Sequence, residues 1–249
     1  MTLRLGKLHA RRDPRTLRFA ALLDRKRLPS VPSSFDYDAA HPPMPVPMFG
    51  NDAHGCCVIS ARAHATLRFE RTEQDLVVPI STDEVLAEWY AENGGTEDGL
   101  EMLASLKQWR SRGWMAAGEL YTCAAFAAVD PCITEHVQAA IFLFGSVEAG
   151  FSLPYSVTRN MDSIETWDIV AGPECAADPS GGHAVAICGY DADGLTGLTW
   201  GRRQRLSYAF LEAYCDELWA IVDALDPWRQ GQGGIDVPAL EAYLRELAS

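Results

Sequence analysis

From Cys56 to Val78 the chain contains neither glycine nor proline, while the stretch before it, Phe49-Gly50-Asn51-Asp52-Ala53-His54-Gly55, is rich in turn-forming Gly and Asx residues. A turn therefore hands over abruptly to a long regular element. Ile59, Ala63 and Leu67 recur at a four-residue spacing, which predicts a helix starting near Cys57. A cysteine in the first turn of a helix meets N–H groups without intrahelical partners and the positive end of the helix dipole, and both favour thiolate over thiol. A buried structural cysteine is the other reading of the same stretch. A partner histidine elsewhere in the chain decides between them.

The 249 residues are 48% hydrophobic, enough for one large domain or two lobes sharing an interface. Charge is unevenly spread. Residues 1–30 hold nine basic side chains against two acidic ones, leaving 12 basic and 32 acidic in the body. Such a body repels nucleic acid, so the basic head is expected to lie on its own acidic surface or to meet an acidic partner. The seven cysteines show no paired spacing and no zinc-ligand pattern, which fits a reducing compartment and no metal. The longest apolar run, 139–145, is too short to span a bilayer, and the N-terminus lacks a signal-peptide core. The expectation is a cytoplasmic protein with no membrane or nucleic-acid partner and no cofactor. Oligomeric state is left open.

Residues 1–30 read as a basic arm ending at Leu28-Pro29, followed by a Pro-rich connector from Pro42 to Pro47 whose fixed φ angles favour an extended strap. After the Cys57 helix, Ser81-X-X-Glu84 has the capping-box pattern and opens a helix that stops at Asn93-Gly94-Gly95. A third helix is expected from about Leu100 to Arg112, with Leu103, Leu106 and Trp109 inward, and a fourth from Thr134 to Phe144. The pattern then shifts to short β runs over 146–153, 166–170, 184–188 and 218–222, and residues 226–249 read as a turn plus a terminal helix. Helices first and strands later argue for an α+β protein with a helical lobe, roughly 48–130, and a β lobe, roughly 131–225, that also takes the N-terminal strap.

A second signal lies in Ser180-Gly181-Gly182-His183-Ala184-Val185-Ala186-Ile187-Cys188-Gly189-Tyr190-Asp191. Two glycines allow close backbone approach, and a short apolar strand carries the histidine. Cysteine early on a helix and histidine on a strand, 126 residues apart, is the layout of a thiol–imidazole pair assembled in space. A third signal is Leu198-Thr199-Trp200-Gly201, where a Trp-Gly turn could cover the imidazole.

Taken together these motifs resemble the papain-like (C1-like) cysteine peptidases, in the manner of a divergent bacterial or phage-type member. Val31-Pro32-Ser33-Ser34-Phe35-Asp36-Tyr37 resembles the opening of the mature enzymes, Gly55-Cys56-Cys57 their Gly-Ser-Cys, Gly182-His183-Ala184-Val185 their histidine strand, and Thr199-Trp200-Gly201 their Ser-Trp-Gly. The likeness runs in order over residues 29–225. It implies an antiparallel β lobe and a cleft between the lobes, within a catalytic domain spanning 31–225. It also implies Cys57 as nucleophile, His183 as base and acid, and Asn51, six residues before Cys57, as an oxyanion donor, unless Asn51 makes only an Asx-turn. Gly94, Gly95 and Gly182 would line the substrate backbone.

Departures are specific. Leu198 stands where the resemblance puts the asparagine that orients histidine, leaving Thr199, a backbone carbonyl or Asp191 for that role, with Trp200 as shield. Val58 replaces a tryptophan. Cys56 is a second candidate thiol, although Cys57 keeps the Gly-X-Cys spacing. A head of 30 residues is too short for the long inhibitory prosegments of the lysosomal enzymes. The implied activity is hydrolysis of a peptide or amide through a thioester. The alternatives are an acyl transferase, ligase or amidase using the same acyl-enzyme, or a catalytically silent binding protein on the same fold.

Overall fold

The computed structural model describes residues 3–23 and 30–223, together with Pro238, Leu240, Ala242 and Arg245. The turn and helix expected over 226–249 otherwise lie outside the described residues.

The first half holds α1 (Phe19–Leu22), β1 (Phe35–Asp36), α2 (Tyr37–Ala40), α3 (Cys57–Gln74), α4 (Thr82–Glu92) and α5 (Met102–Arg112). A small hairpin, β2 (Trp114–Ala116) with β3 (Glu119–Tyr121), leads to β4 (Cys123–Ala128) and α6 (Thr134–Phe144). Then come β5 (Val147–Pro154), α7 (Tyr155–Thr158), β6 (Thr166–Trp167), β7 (Ala177–Tyr190), β8 (Leu195–Thr199), β9 (Arg202–Leu206), α8 (Tyr208–Tyr214) and β10 (Cys215–Asp223).

Eight strands form one sheet in the order β4-β10-β5-β7-β8-β9-β6, with β1 pairing β7 beside it. Every pairing is antiparallel except β6 with β9. The α+β order expected from the sequence is therefore present, and the strap at Phe35 joins the sheet through Tyr190. β4 departs from the expected helical lobe: it forms the sheet edge next to β10.

The two cores meet across β7. Its side chains alternate as a pleated strand requires. Val185 and Ile187 enter the core that also holds Val137, Ile141 and Phe144 of α6. Ala184, Ala186 and Cys188 enter the other, with Ile59, Ala63 and Leu67 of α3. Alanines on that face let α3 approach closely, which sets the start of α3 beside the start of the apolar half of β7.

The α3 helix is buried on every side from Cys57 to Glu70, not on one stripe as its four-residue spacing suggested. Arg62 and Arg68 are paired to make this possible. Arg62 Nη2 donates to Glu92 Oε1 at 2.8 Å and to the Ser105 carbonyl at 2.9 Å, and Arg68 Nη2 donates to Asp38 Oδ2 at 2.7 Å. Because the Glu92 side chain is 0% exposed, Arg62→Ala leaves its carboxylate buried with only Arg112, 4.0 Å away, as a cation. The expected loss is about 3–5 kcal/mol of stability, read as a lower urea midpoint at unchanged slope.

Helix α4 begins as the sequence indicated, with Ser81 Oγ accepting from the Glu84 N–H and the Glu84 carboxylate accepting from the Ser81 N–H. No helix among the described residues is long and apolar enough to cross a membrane.

Candidate active site

Cys56 and Cys57 are separated by the geometry of the helix start. Cys56 is the N-cap residue of α3, and its thiol is held by the Phe49 carbonyl at 3.4 Å and Ser60 Oγ at 3.6 Å. Burial pushes its pKa up to about 12. Cys57, the first residue of α3, turns the other way, so that its sulfur lies near the backbone N–H groups of Ala184 and Gly6. Burial raises its pKa as well, and those two N–H groups oppose the rise. The sulfur of Cys57 therefore lies against the residue that follows His183.

His183 is fully buried on β7. Its Nε2 lies 2.7 Å from Thr199 Oγ1, and its ring stacks on Trp200 at 4.3 Å between centroids and 17° between planes. Trp167 meets it edge-on at 6.4 Å. Its Nδ1 has no partner among the described residues. Burial, assisted by the charge of Lys7, pushes its pKa down to about 3. Of the possible orienting groups, Thr199 reaches the ring. Asp191 is engaged instead with Arg205 and with the turn N–H groups of Asp193 and Gly194. Leu198 sits in the helical core, because consecutive residues of β8 face opposite sides.

Asn51 is 2% exposed, and its side-chain Nδ2 is buried without a partner among the described residues. An amide left unmatched beside the cysteine turn is a donor still available for an anion.

The cleft is filled by the chain's own arm. The N–H groups of Gly6 and Lys7 both donate to the Gly182 carbonyl, at 3.1 and 3.0 Å. The Leu8 N–H donates to the Leu100 carbonyl and the Leu100 N–H to the Gly6 carbonyl, both at 2.8 Å, so the arm pairs parallel to Leu100. Farther along, the Arg4 N–H donates to the Asn51 carbonyl at 3.3 Å, and Trp200 Nε1 donates to the Arg4 carbonyl at 3.2 Å. The approach is too close for side chains. A Cβ on Gly6 would fall 1.8 Å from the Gly55 carbonyl oxygen, one on Gly99 would fall 1.9 Å from that of Gly6, and one on Gly182 would fall 1.9 Å from that of Lys7.

The arm was legible as basic but not as an occupant of the cleft. Leu3–Leu8 run along the groove beside Cys57 and Gly182. The expectation that the head lies on its own acidic surface is met at Lys7, which pairs with Asp216 and Glu217, and at Arg11, which pairs with Glu101.

The glycines expected along a substrate backbone differ in their surroundings. Gly94 and Gly95 form the open turn after α4, with φ of +74° and +81° and nothing within 4 Å of a Cβ at either. Gly99, Leu100 and Gly182 are instead the residues that the arm approaches. The Gly-Gly pair is the stronger turn signal in the sequence because both residues need positive φ. Gly99 is required by backbone approach, which leaves no local pattern. No cluster of His, Cys, Asp or Glu among the described residues is arranged to hold a metal ion.

No protein-family model and no curated protein matches this chain. Among solved structures it is similar to xylellain, a cysteine protease from Xylella fastidiosa, at 17% identity and a TM-score of 0.69, covering 89% of this chain and 96% of that one. It is also similar to the Carica candamarcensis cysteine protease CMS1MS2, at 16% identity and TM-score 0.59, covering 77% and 99% of the two chains. A third similar structure is a procathepsin B from Trypanosoma congolense, at 13% identity and TM-score 0.61, covering 88% and 86%. The chain has the papain-like cysteine protease fold.

Proposed function

We propose that this protein is a papain-fold thiol hydrolase that cleaves a peptide or amide bond, with Cys57 as nucleophile and His183 as its base and acid. The observation that carries this reading is the setting of His183. One ring nitrogen is held by Thr199, one face is covered by Trp200, and the other nitrogen is left unpaired beside the strand that contacts the Cys57 sulfur. A histidine fixed in this way can give and take a proton at a single atom.

In the reaction, Nδ1 of His183 takes the Cys57 thiol proton and the sulfur forms a bond to the substrate carbonyl carbon, placing negative charge on its oxygen. The Cys57 backbone N–H and the Asn51 amide supply the donors for that oxygen, each worth about 10²–10³ in rate. Collapse breaks the C–N bond, and the leaving amine takes the proton from His183. Water, deprotonated by the same histidine, then cleaves the thioester and restores the thiol.

The electrostatics of the arm-filled cleft work against the first step. With Cys57 raised above and His183 lowered to about 3 from their ordinary values, the pair stays neutral across the physiological range. Vacating the cleft removes the arm's share of that burial and the charge of Lys7 that helps to lower His183. The test is iodoacetamide labelling of Cys57 against pH in wild type, in Gly6→Ala, whose arm cannot seat, and in Gly6→Ala/His183→Ala. Slow labelling is expected in wild type. Fast labelling well below pH 8 is expected in Gly6→Ala, and it should be lost when His183 is also removed. If Cys57 in all three proteins follows an ordinary thiol, with a midpoint near about 8.5, the fold serves binding and not catalysis.

A further inference from the structure

The arm residue next to the thiol-facing Gly6 is seated with unusual care. The Lys7 side chain is 1% exposed, and its Nζ lies 2.9 Å from Asp216 Oδ1 and 3.4 Å from Glu217 Oε1. The Leu8 carbonyl accepts from the same ammonium at 3.1 Å. Its stem runs along a slot whose wall is Gly150, Met102 and the methylenes of Glu217. A Cβ on Gly150 would meet Lys7 Cε at 2.3 Å, Glu217 Cγ at 2.7 Å and Met102 Sδ at 2.8 Å. The slot is thus apolar along its length, acidic at its end, and open only because residue 150 has no side chain.

We propose that this slot is the specificity pocket of the enzyme and that it selects substrates with a lysine or arginine one residue removed from the residue whose carbonyl is attacked, on its acyl side. This rests on the hydrolase reading above and names its substrate class.

The argument is one of charge left behind. The two carboxylates are held in place independently of the arm: Asp216 Oδ2 accepts from Ser152 Oγ at 2.9 Å, and Glu217 Oε2 accepts from Trp219 Nε1 at 3.0 Å. The Glu217 side chain is only 5% exposed with the arm seated. When Lys7 leaves, a nearly buried carboxylate and its neighbour face an empty apolar slot without a cation. An aliphatic substrate side chain would fill the slot while leaving both charges uncompensated, which is the costly outcome for buried ions. A cation on a long apolar stem satisfies both ends of the pocket at once.

The position along the cleft is set by the backbone. Gly6 lies against the Cys57 sulfur, and the two hydrogen bonds to Leu100 clasp the chain on either side of Lys7. Because Lys7 follows Gly6 and the arm pairs parallel to Leu100, a substrate strand running the opposite way, antiparallel to Leu100 and held by the same Leu100 and Gly182 groups, places the side chain that precedes the attacked residue in the same slot.

The test is a series of fluorogenic peptide amides with a fixed terminal residue and Lys, Arg, Leu or Glu before it. They are assayed on full-length Gly6→Ala, with Lys7→Glu as a second protein whose arm cannot seat. Lys and Arg peptides are expected to exceed the Leu peptide in kcat/KM by at least tenfold, with Glu poorest. In Gly6→Ala carrying Asp216→Asn and Glu217→Gln, the Lys advantage should disappear and the Leu peptide should gain. Cleavage that favours Leu, or that ignores this position, overturns the pocket assignment and leaves the hydrolase standing. No cleavage of any peptide by either protein, with Cys57 labelling as an ordinary thiol, overturns the hydrolase reading and this inference with it.

Discussion

Alanine at position 57 lowers turnover of a cleaved peptide amide by about 10⁴-fold or more, in a protein whose arm has been displaced, while substrate binding is retained. In the proposed mechanism the effect is large because every covalent step passes through the Cys57 sulfur, and the remaining donors and His183 can act only on water. The neighbouring thiol does not compensate. Cys56 points away from β7 into a cage formed by the Phe49 carbonyl and Ser60, and with a pKa near 12 its thiolate is almost unpopulated at neutral pH. Cys56→Ala is therefore expected to keep most of the activity. The measurement is steady-state kinetics of the two variants in the Gly6→Ala background. Equal losses from both would mean that the cysteines act as a pair, and a loss confined to Cys56→Ala would reverse the assignment.

How far the site could be read from the sequence depends on the physical range of each signal. The helix starts were local: the glycine-rich turn before Cys57 and the Ser81–Glu84 box act within a few residues, and α3 and α4 begin where these signals end. The β4 strand was not legible, because Cys-Ala-Ala-Phe-Ala-Ala has few β-branched or aromatic residues and owes its place to pairing with β10. Strand β7 begins at Ala177, well before the apolar run from Ala184 that marks it in the sequence, since the glycines at 181 and 182 dilute the pattern.

At the site itself, motif spacing and side-chain facing gave different answers. Counting back from Trp200 puts Leu198 in the orienting position, whereas the alternation of β8 turns Leu198 into the helical core and leaves Thr199 to meet His183. The acidic pocket had no signal at all. Asp216 and Glu217 carry no motif in the sequence, and only the arrival of Lys7 from the far end of the chain brings a cation to them.

Displacing the arm should raise turnover by about 10²–10³-fold. A closed state favoured by about 3–4 kcal/mol leaves a competent fraction of that reciprocal size, and abolishing closure recovers it. Two substitutions reach this end by unrelated routes. Gly6→Ala adds a Cβ that would lie 1.8 Å from the Gly55 carbonyl oxygen, a backbone atom at the start of the Cys57 helix that cannot move aside cheaply. Lys7→Glu removes a buried cation from Asp216 and Glu217 and brings a third carboxylate toward them, so loss of the ion pair and like-charge repulsion act together. Because one variant changes shape and the other charge, a similar gain from both identifies release of the arm as the cause. A gain from Lys7→Glu alone would point to a direct effect of residue 7 on the His183 imidazole, whose pKa its charge depresses. Unchanged turnover in both would mean that the arm leaves the cleft too readily to control it. The arm then competes with substrate only weakly, despite the six hydrogen bonds that its backbone makes, five with backbone groups, donated by the N–H groups of Arg4, Gly6, Lys7, Leu8 and Leu100, and one with the Trp200 indole.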